Sequence, residues 1–95
     1  MELGEALAVV IKTTRKARGL TQEDFGVVSS RTYLSTLERA LKSPTIDKLE
    51  EISSVLNVTP AALLLLATAL MRDSGRQEET IQQVAAEAIE LLRSI

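Results

Sequence analysis

Hydrophobic residues recur at the three- and four-residue spacing of an amphipathic helix along the chain, and capping residues divide this pattern into six predicted helices. The first three are expected at about residues 3–18, 22–28 and 31–39. Gly19 is a typical stop after the first helix, and Thr21 is a favourable N-cap for the second. The pattern contains no strand-like alternation and therefore predicts an all-α fold.

The second and third predicted helices are short and lie close together in the sequence. Ser29 or Ser30 is expected to cap the third helix. Gly26 is costly inside a helix, so we expect another backbone, that of the third helix, to approach closely there. The inner stripe of the third helix is expected to comprise Leu34, Leu37 and Leu41.

The fourth and fifth predicted helices occupy about residues 46–56 and 60–71, and a threonine precedes each as a capping residue. The buried face of the fourth helix is expected to begin at Ile46 or Leu49, and Lys48 is expected to face water. The fifth helix is apolar on nearly every side, which predicts that one half lies in the core and the other half in an interface.

A sixth predicted helix, about residues 77–94, follows a break in the pattern at residues 73–75. It is amphipathic and has heptad-like spacing. We expect it to pair with a second copy of the chain, with packing onto the first helix as the alternative. The predicted organisation is therefore one unit over residues 1–72 and a C-terminal dimerisation helix over residues 76–95.

Composition narrows the classes of function. The 95 residues suffice for one small domain, and 45% of them are hydrophobic, enough for a core. The chain has no cysteine and no histidine, which excludes Cys/His zinc sites, redox pairs, cysteine nucleophiles and histidine-based triads. It also has no glycine-rich phosphate loop, so we expect no catalytic residue, no metal, no cofactor and no enzymatic activity. The longest apolar run, residues 60–66, is too short to span a membrane, and no signal peptide is apparent.

Charge is distributed unevenly along the chain. The net charge is −2, but residues 12–42 carry seven basic and three acidic groups, which leaves +4 there. Residues 43–95 carry four basic and eight acidic groups, and therefore −4. A basic footprint can direct a protein onto phosphates, although a solvated basic helix face would give the same pattern.

The outer face of the third predicted helix carries hydrogen-bonding side chains and no acidic group. Its residues are Arg31, Thr32, Ser35, Thr36 and Arg39. Serine and threonine are indifferent helix formers, so helix propensity does not account for them. A merely soluble surface is the alternative, although lysine and glutamate serve solubility better.

An ordered set of short segments surrounds this helix. After Arg15 come Gly19-Leu20-Thr21-Gln22-Glu23, Ser30-Arg31-Thr32-Tyr33-Leu34-Ser35, Leu37-Glu38-Arg39, Ala40-Leu41-Lys42-Ser43-Pro44 and Leu56-Asn57-Val58-Thr59. Together with Gly26 on the second helix, they resemble the phage-repressor and Cro-type helix-turn-helix family, also called xenobiotic-response-element-type regulators. The resemblance covers about residues 11–66, and the last helix lies outside it.

The resemblance implies a five-helix, lambda-repressor-like domain whose motif covers about residues 21–39 and whose third helix enters the major groove of double-stranded DNA. The implied base contacts are Arg31, Thr32, Tyr33 and Thr36. Tyr33 is equally compatible with half-buried packing. The implied phosphate contacts are Gln22, Ser30, Ser35, Arg39, Lys42 and Ser43.

The resemblance also implies a buried salt bridge between Arg15 and Glu38 that orients the third helix. The sequence departs from the family pattern in two places. The turn at Ser29-Ser30 is shorter than usual and lacks the customary glycine. Ala40 stands where glycine is common, which is expected to lengthen the third helix slightly.

The leading hypothesis is a sequence-specific transcriptional regulator, a repressor, that binds an inverted-repeat operator as a homodimer. The expected dimer interface comprises Leu63, Leu66, Leu70, Ile81, Val84, Ala88, Leu91, Leu92 and Ile95. The protein would be bacterial or phage-encoded, cytoplasmic and associated with the nucleoid. The alternative is an antitoxin or partner-bound regulator whose last helix binds a second protein.

Overall fold

The computed structural model describes residues 1–72 and 75–95, which form five α-helices and one 3₁₀ segment and contain no β-strand. In chain order the elements are α1 (Leu3–Ala17), the 3₁₀ segment (Gln22–Phe25), α2 (Arg31–Glu38), α3 (Ile46–Leu56), α4 (Pro60–Met71) and α5 (Gln77–Leu92). The prediction of an all-α fold is confirmed. Asp73 and Ser74, part of the predicted break in the helical pattern, lie outside the described residues.

The second predicted helix differs most from the sequence interpretation. Instead of an α-helix over residues 22–28, the chain forms the 3₁₀ segment followed by turns. The Asp24 carboxylate accepts a hydrogen bond from the Thr21 amide at 2.7 Å and so fixes the start of the segment. A Cβ atom on Gly26 would lie 3.2 Å from the Glu23 carbonyl oxygen. The close approach at Gly26 therefore comes from its own tightly wound segment and not from the next helix.

One hydrophobic core joins these elements. The 3₁₀ segment and helices α1 to α4 contribute the buried side chains Ile11, Phe25, Leu34, Ile52 and Leu63, among others. α1 lies against α4, and α3 contacts both α4 and the 3₁₀ segment. α5 packs along α4 of its own chain. The alternative prediction, that the last helix packs onto α1, is therefore wrong.

Three helices end with the same kind of C-terminal cap. The residues after α1, α2 and α3 that adopt left-handed backbone are Gly19 (φ 69°), Ala40 (φ 59°) and Asn57 (φ 59°). In each case the next amide bonds back to a carbonyl in the last helical turn. The expectation that Ala40 lengthens its helix is wrong, because α2 ends at Glu38 and Ala40 adopts the conformation that glycine normally supplies.

Leu41 and Leu63 differ from expectation, and the choice between Ile46 and Leu49 for the start of the buried face of α3 is resolved. Leu41 is 62% exposed, because it follows the left-handed Ala40 and no longer belongs to the inner stripe of α2. Ile46 is 79% exposed at the first position of α3, and Leu49 takes the inner place. Leu63 is 3% exposed in the core of its own chain, so its side chain is not on the surface where the dimer prediction needs it.

Candidate nucleic-acid interface

α2 is held by its inner face and presents a polar outer face. Ser30 is its N-cap, and the serine hydroxyl accepts a hydrogen bond from the Tyr33 amide at 3.0 Å. Leu34 and Leu37 are buried in the core. Because these two leucines anchor one side of a short helix, the intervening side chains lie at the surface.

A polar surface groove of about 410 Å³ follows this outer face. Its lining residues are Gln22, Arg31, Thr32, Ser35, Thr36 and Arg39. The groove thus brings together Arg31, Thr32 and Thr36, which were expected to contact bases, with three residues expected to contact phosphates. The spacing of residues in the sequence correctly indicated one continuous polar face.

The remaining residues expected to contact DNA lie outside this groove. Tyr33 is half-buried and packs against the core, with the Lys48 ammonium 5.7 Å from the centre of its ring. This geometry corresponds to the packing alternative for Tyr33. Lys42 and Ser43 are exposed in the turn after α2, and Ser43 lies beside Gly4 of α1. Lys42 and Ser43 are therefore not part of the groove lining.

The side chains in the groove are only weakly engaged within the protein. Arg31 forms an ion pair with Glu23 at 3.0 Å, but the two side chains are 71% and 59% exposed. An exposed pair of this kind contributes about 0–1 kcal/mol, so Arg31 can exchange its partner at little cost. The Thr36 hydroxyl donates to the Thr32 carbonyl at 2.8 Å, which leaves its methyl group and its acceptor lone pairs available.

A buried ion pair lies beneath the groove and joins α1 to the end of α2. Arg15 donates from Nε and Nη2 to the two carboxylate oxygens of Glu38, at 2.7 and 2.9 Å. Its third nitrogen donates to the Leu20 carbonyl at 2.9 Å. Gln22 donates from its side-chain amide to the same carboxylate at 3.2 Å. The pair that was inferred from the resemblance is therefore present, and it also holds a residue of the groove.

The Arg15 guanidinium stays charged. The hydrogen bond from Arg15 to Glu38 raises the pKa of Arg15, and this effect outweighs the lowering by burial. The ordinary pKa of arginine is already far above neutrality. Stability from a raised pKa is complete below the unfolded value and is lost only as the pH rises through the folded value. Arg15 therefore does not act as a pH switch under physiological conditions.

Lys48 was expected to face water, and this expectation is wrong. Its ammonium group donates to the Val28 carbonyl, just before the Ser29-Ser30 turn, and to the Glu51 carboxylate at 2.9 Å. Helical periodicity places Lys48 on the solvent side of α3, and only its long flexible stem returns the charge to the turn. The sequence pattern therefore contains no signal for this contact.

The residues expected at a dimer interface fall into separate groups. Leu63 lies in the core, and Leu70 packs against the core. Ile81 and Val84 are half-buried. The exposed members are Leu66, Ala88, Leu91, Leu92 and Ile95. An apolar groove of about 280 Å³ lies between α4 and α5, and Val84 and Ala88 are among its lining residues.

Residues 1–72 and 75–95 contain no group of three or more acidic residues that could hold a metal ion. No single helix in this part of the chain is long and apolar enough to cross a membrane. α3 and α4 together meet that criterion of length and composition only as a pair bent by 100°.

Comparison with known proteins agrees with this geometry. Residues 11–63, more than half of the chain, match the helix-turn-helix family of the Cro/C1 type. The matched span contains the buried ion pair, the polar groove and all of α2. Comparisons with curated proteins and with solved structures gave no significant match. The chain belongs to the helix-turn-helix family and is a DNA-binding transcription regulator.

Proposed function

We propose that this protein is a sequence-specific repressor that binds an inverted-repeat operator as a homodimer, with α2 of each copy in the major groove. One observation carries the proposal. Arg31, Thr32 and Thr36 line the same polar groove on a helix whose other side is anchored in the core. A rigid polar helix face of this kind matches the donor and acceptor pattern that base edges present in the major groove.

Each side chain of the groove has a suitable role in this proposal. Arg31 reads guanine through its O6 and N7 atoms after leaving Glu23. Thr32 and Thr36 offer hydroxyl groups to base edges and methyl groups to thymine. Ser35 and Arg39, on the same face, contact the phosphate backbone and set the register.

Gln22 supplies a phosphate contact from the side of the groove nearest the buried ion pair. One hydrogen of its side-chain amide is used by Glu38, and the second is available for a phosphate oxygen. Ser30, at the N-cap of α2, and Lys42 and Ser43, in the turn after α2, would extend the backbone contacts along the DNA.

The homodimer rests on exposed apolar residues at the end of α5 and just beyond it. Leu91, Leu92 and Ile95 are 67%, 68% and 102% exposed at the end of the chain. Burial of one such side chain contributes about 1.5–3 kcal/mol, so a twofold interface here would be substantial. Two copies of α2 would then meet major grooves about 34–36 Å apart, which requires an inverted repeat.

DNA recognition is tested by selecting bound duplexes from a randomised pool with the wild-type protein and measuring affinities for the selected duplex and a shuffled one. Arg31→Ala is expected to weaken binding to the selected duplex by about 1–3 kcal/mol and to relax its sequence preference. Arg39→Ala is the matched control, since loss of a phosphate contact weakens both duplexes equally and lowers the salt dependence. Equal weakening of both duplexes by Arg31→Ala would show that Arg31 does not read bases.

The dimer is tested by sedimentation of the full chain. Replacing Leu91 and Leu92 with serine is expected to shift the protein to a monomer and to weaken operator binding. Ile46→Ser removes an exposed aliphatic residue of α3 and should leave the dimer intact. A wild-type monomer, or an unchanged dimer in the double serine variant, would contradict this part of the proposal.

A second candidate is a regulator whose α5 binds a different protein, as an antitoxin does. The charge of α5 favours it, because Gln77–Leu92 contains four glutamates and no basic residue. Two such helices side by side repel each other, whereas a basic amphipathic helix would be attracted. A monomeric wild-type protein that forms a stable complex with such a helix would support this candidate over the homodimer.

A further inference from the structure

Lys48 links three parts of the protein that adjoin the DNA-binding surface. It lies on α3, and its ammonium group donates to the carbonyl of Val28, two residues before the N-cap of α2. The same group lies 5.7 Å from the centre of the Tyr33 ring, in the first turn of α2. It also pairs with Glu51 at 2.9 Å, one turn further along α3.

The segment that Lys48 contacts determines where α2 begins. The amides of Val28 and Ser29 both bond back to the Phe25 carbonyl, at 3.0 and 2.9 Å, which closes the turn on its inner side. Ser30 then adopts extended backbone before the helix starts. The carbonyl of Val28 accepts its hydrogen bond from Lys48, so this lysine supports the turn from α3.

The charge on Lys48 is already compensated within the protein. Its side chain is 33% exposed, and the Glu51 carboxylate binds the ammonium directly. Lys42, in the turn after α2, is exposed by comparison. A lysine that is paired, half-buried and bonded to a backbone carbonyl is poorly suited to neutralise a phosphate. Its contacts instead suit it to hold two segments of chain at a set angle.

We propose that Lys48 is a positioning residue for DNA recognition, which holds the Val28 carbonyl and the Tyr33 ring together and thereby sets the angle at which α2 enters the major groove. The inference rests on the proposed base contacts of α2. A change of that angle moves Arg31 and Thr32 relative to base edges, which have strict geometry. It disturbs phosphate contacts less, because the backbone offers oxygens along its whole length.

The first test compares Lys48→Met with Lys42→Met on the duplex selected by the wild-type protein and on a shuffled duplex. Methionine retains an unbranched stem and removes the ammonium. Lys48→Met is expected to weaken binding to the selected duplex roughly tenfold, with little change on the shuffled duplex and an unchanged salt slope. Lys42→Met is expected to weaken both duplexes equally and to reduce the salt slope by about one.

Lys48→Arg provides a rescue, since guanidinium can donate to the Val28 carbonyl and stack on the Tyr33 ring. It is expected to restore most of the discrimination between the two duplexes. All variants are compared at a temperature at which circular dichroism shows that they are folded. If Lys48→Met weakens both duplexes equally and lowers the salt slope, Lys48 is a phosphate contact and the proposal is overturned.

The second test uses the protein without DNA and therefore stands even if no duplex is selected. Amide hydrogen exchange is measured for Ser29, Tyr33 and Leu34 and, as a reference, for residues 7–11 of α1. Lys48→Met is expected to speed exchange at the start of α2 by several-fold and to leave the reference amides unchanged. Unchanged exchange at the start of α2 would overturn the positioning role. Failure to select any duplex would instead count against the proposed function.

Discussion

Replacement of Arg15 with methionine is expected to be among the most damaging single changes in this protein. The variant keeps an unbranched stem in α1 but removes both short hydrogen bonds to Glu38. The Glu38 side chain is only 2% exposed, and it would retain just the Gln22 donor at 3.2 Å. Removal of one partner from a buried ion pair costs about 3–5 kcal/mol, because an uncompensated charge stays in the interior. That loss is a large share of the roughly 5–15 kcal/mol that stabilises a small domain.

The free energy of unfolding is measured by denaturant titration with far-ultraviolet circular dichroism. Protein concentration is held constant, because the stability of a dimer depends on it. The double variant Arg15→Met/Glu38→Leu removes both charges and is expected to lose less than the sum of the single changes. Arg31→Met is the matched control, since its pair with Glu23 is exposed and should contribute at most about 1 kcal/mol.

Two results would refute this reasoning. A loss below about 1 kcal/mol for Arg15→Met would mean that water screens Glu38 despite its burial in the structure. Additive losses in the double variant would mean that Arg15 and Glu38 act independently, although they are joined by two hydrogen bonds.

Three further substitutions are expected to be favourable: two should raise the stability of the protein, and one should strengthen DNA binding. Ala40→Gly should stabilise the protein by roughly 0.5–1 kcal/mol. Left-handed alanine costs about 1–2 kcal/mol, and the greater conformational entropy of glycine in the unfolded chain offsets part of the relief. A lower melting temperature would contradict this expectation. Ser53→Ala should stabilise by about 1 kcal/mol in denaturant titrations, because the buried Ser53 hydroxyl has no hydrogen-bond partner among the described residues; a clear loss of stability would show that the hydroxyl is bonded. Glu23→Gln should strengthen binding to any duplex in fluorescence anisotropy, because it frees Arg31 and removes a negative charge beside it; weaker binding would mean that Glu23 helps to orient Arg31.

Local chemistry explains most of the agreement between the sequence and the fold. Ser30 and Thr45 each cap a helix by accepting a hydrogen bond from an amide three residues on. Gly19 and Asn57 adopt the left-handed conformation that their residue types favour. Such signals depend on neighbours within a few residues, so the sequence alone could place most helix ends correctly.

The structure differs from the sequence prediction at positions where backbone geometry or a contact with a distant segment determines the conformation. Ala40 is left-handed although alanine disfavours that conformation, because the hydrogen bonds that close α2 require it. Gly26 directly follows a 3₁₀ segment, which hydrophobic periodicity does not distinguish from a short α-helix. Lys48 reaches across to another segment, and the spacing of residues along its own helix carries no information about that contact.

The polar face of α2 could be predicted from the sequence because it also depends on residues close together in the chain. Leu34 and Leu37 must face inward, so the polar residues between them must face outward, and the polar groove follows from that alternation. Tyr33 is the exception, because a tyrosine can satisfy both a core and a surface position. Only the packing of its ring against the core and beside Lys48 decides its place.

If Gln22 contacts a phosphate as proposed, its hydrogen bond to Glu38 would make that contact and base reading by α2 thermodynamically dependent on each other. Glu38 closes α2, and Gln22 borders the groove from the 3₁₀ segment. A phosphate held by the free amide hydrogen of Gln22 would polarise the hydrogen bond that already anchors the reading helix, and that bond would in turn orient the amide toward the phosphate. A DNA backbone displaced from Gln22 would then also weaken the base contacts of α2. The binding free energy would therefore depend jointly on the shape and the sequence of the duplex.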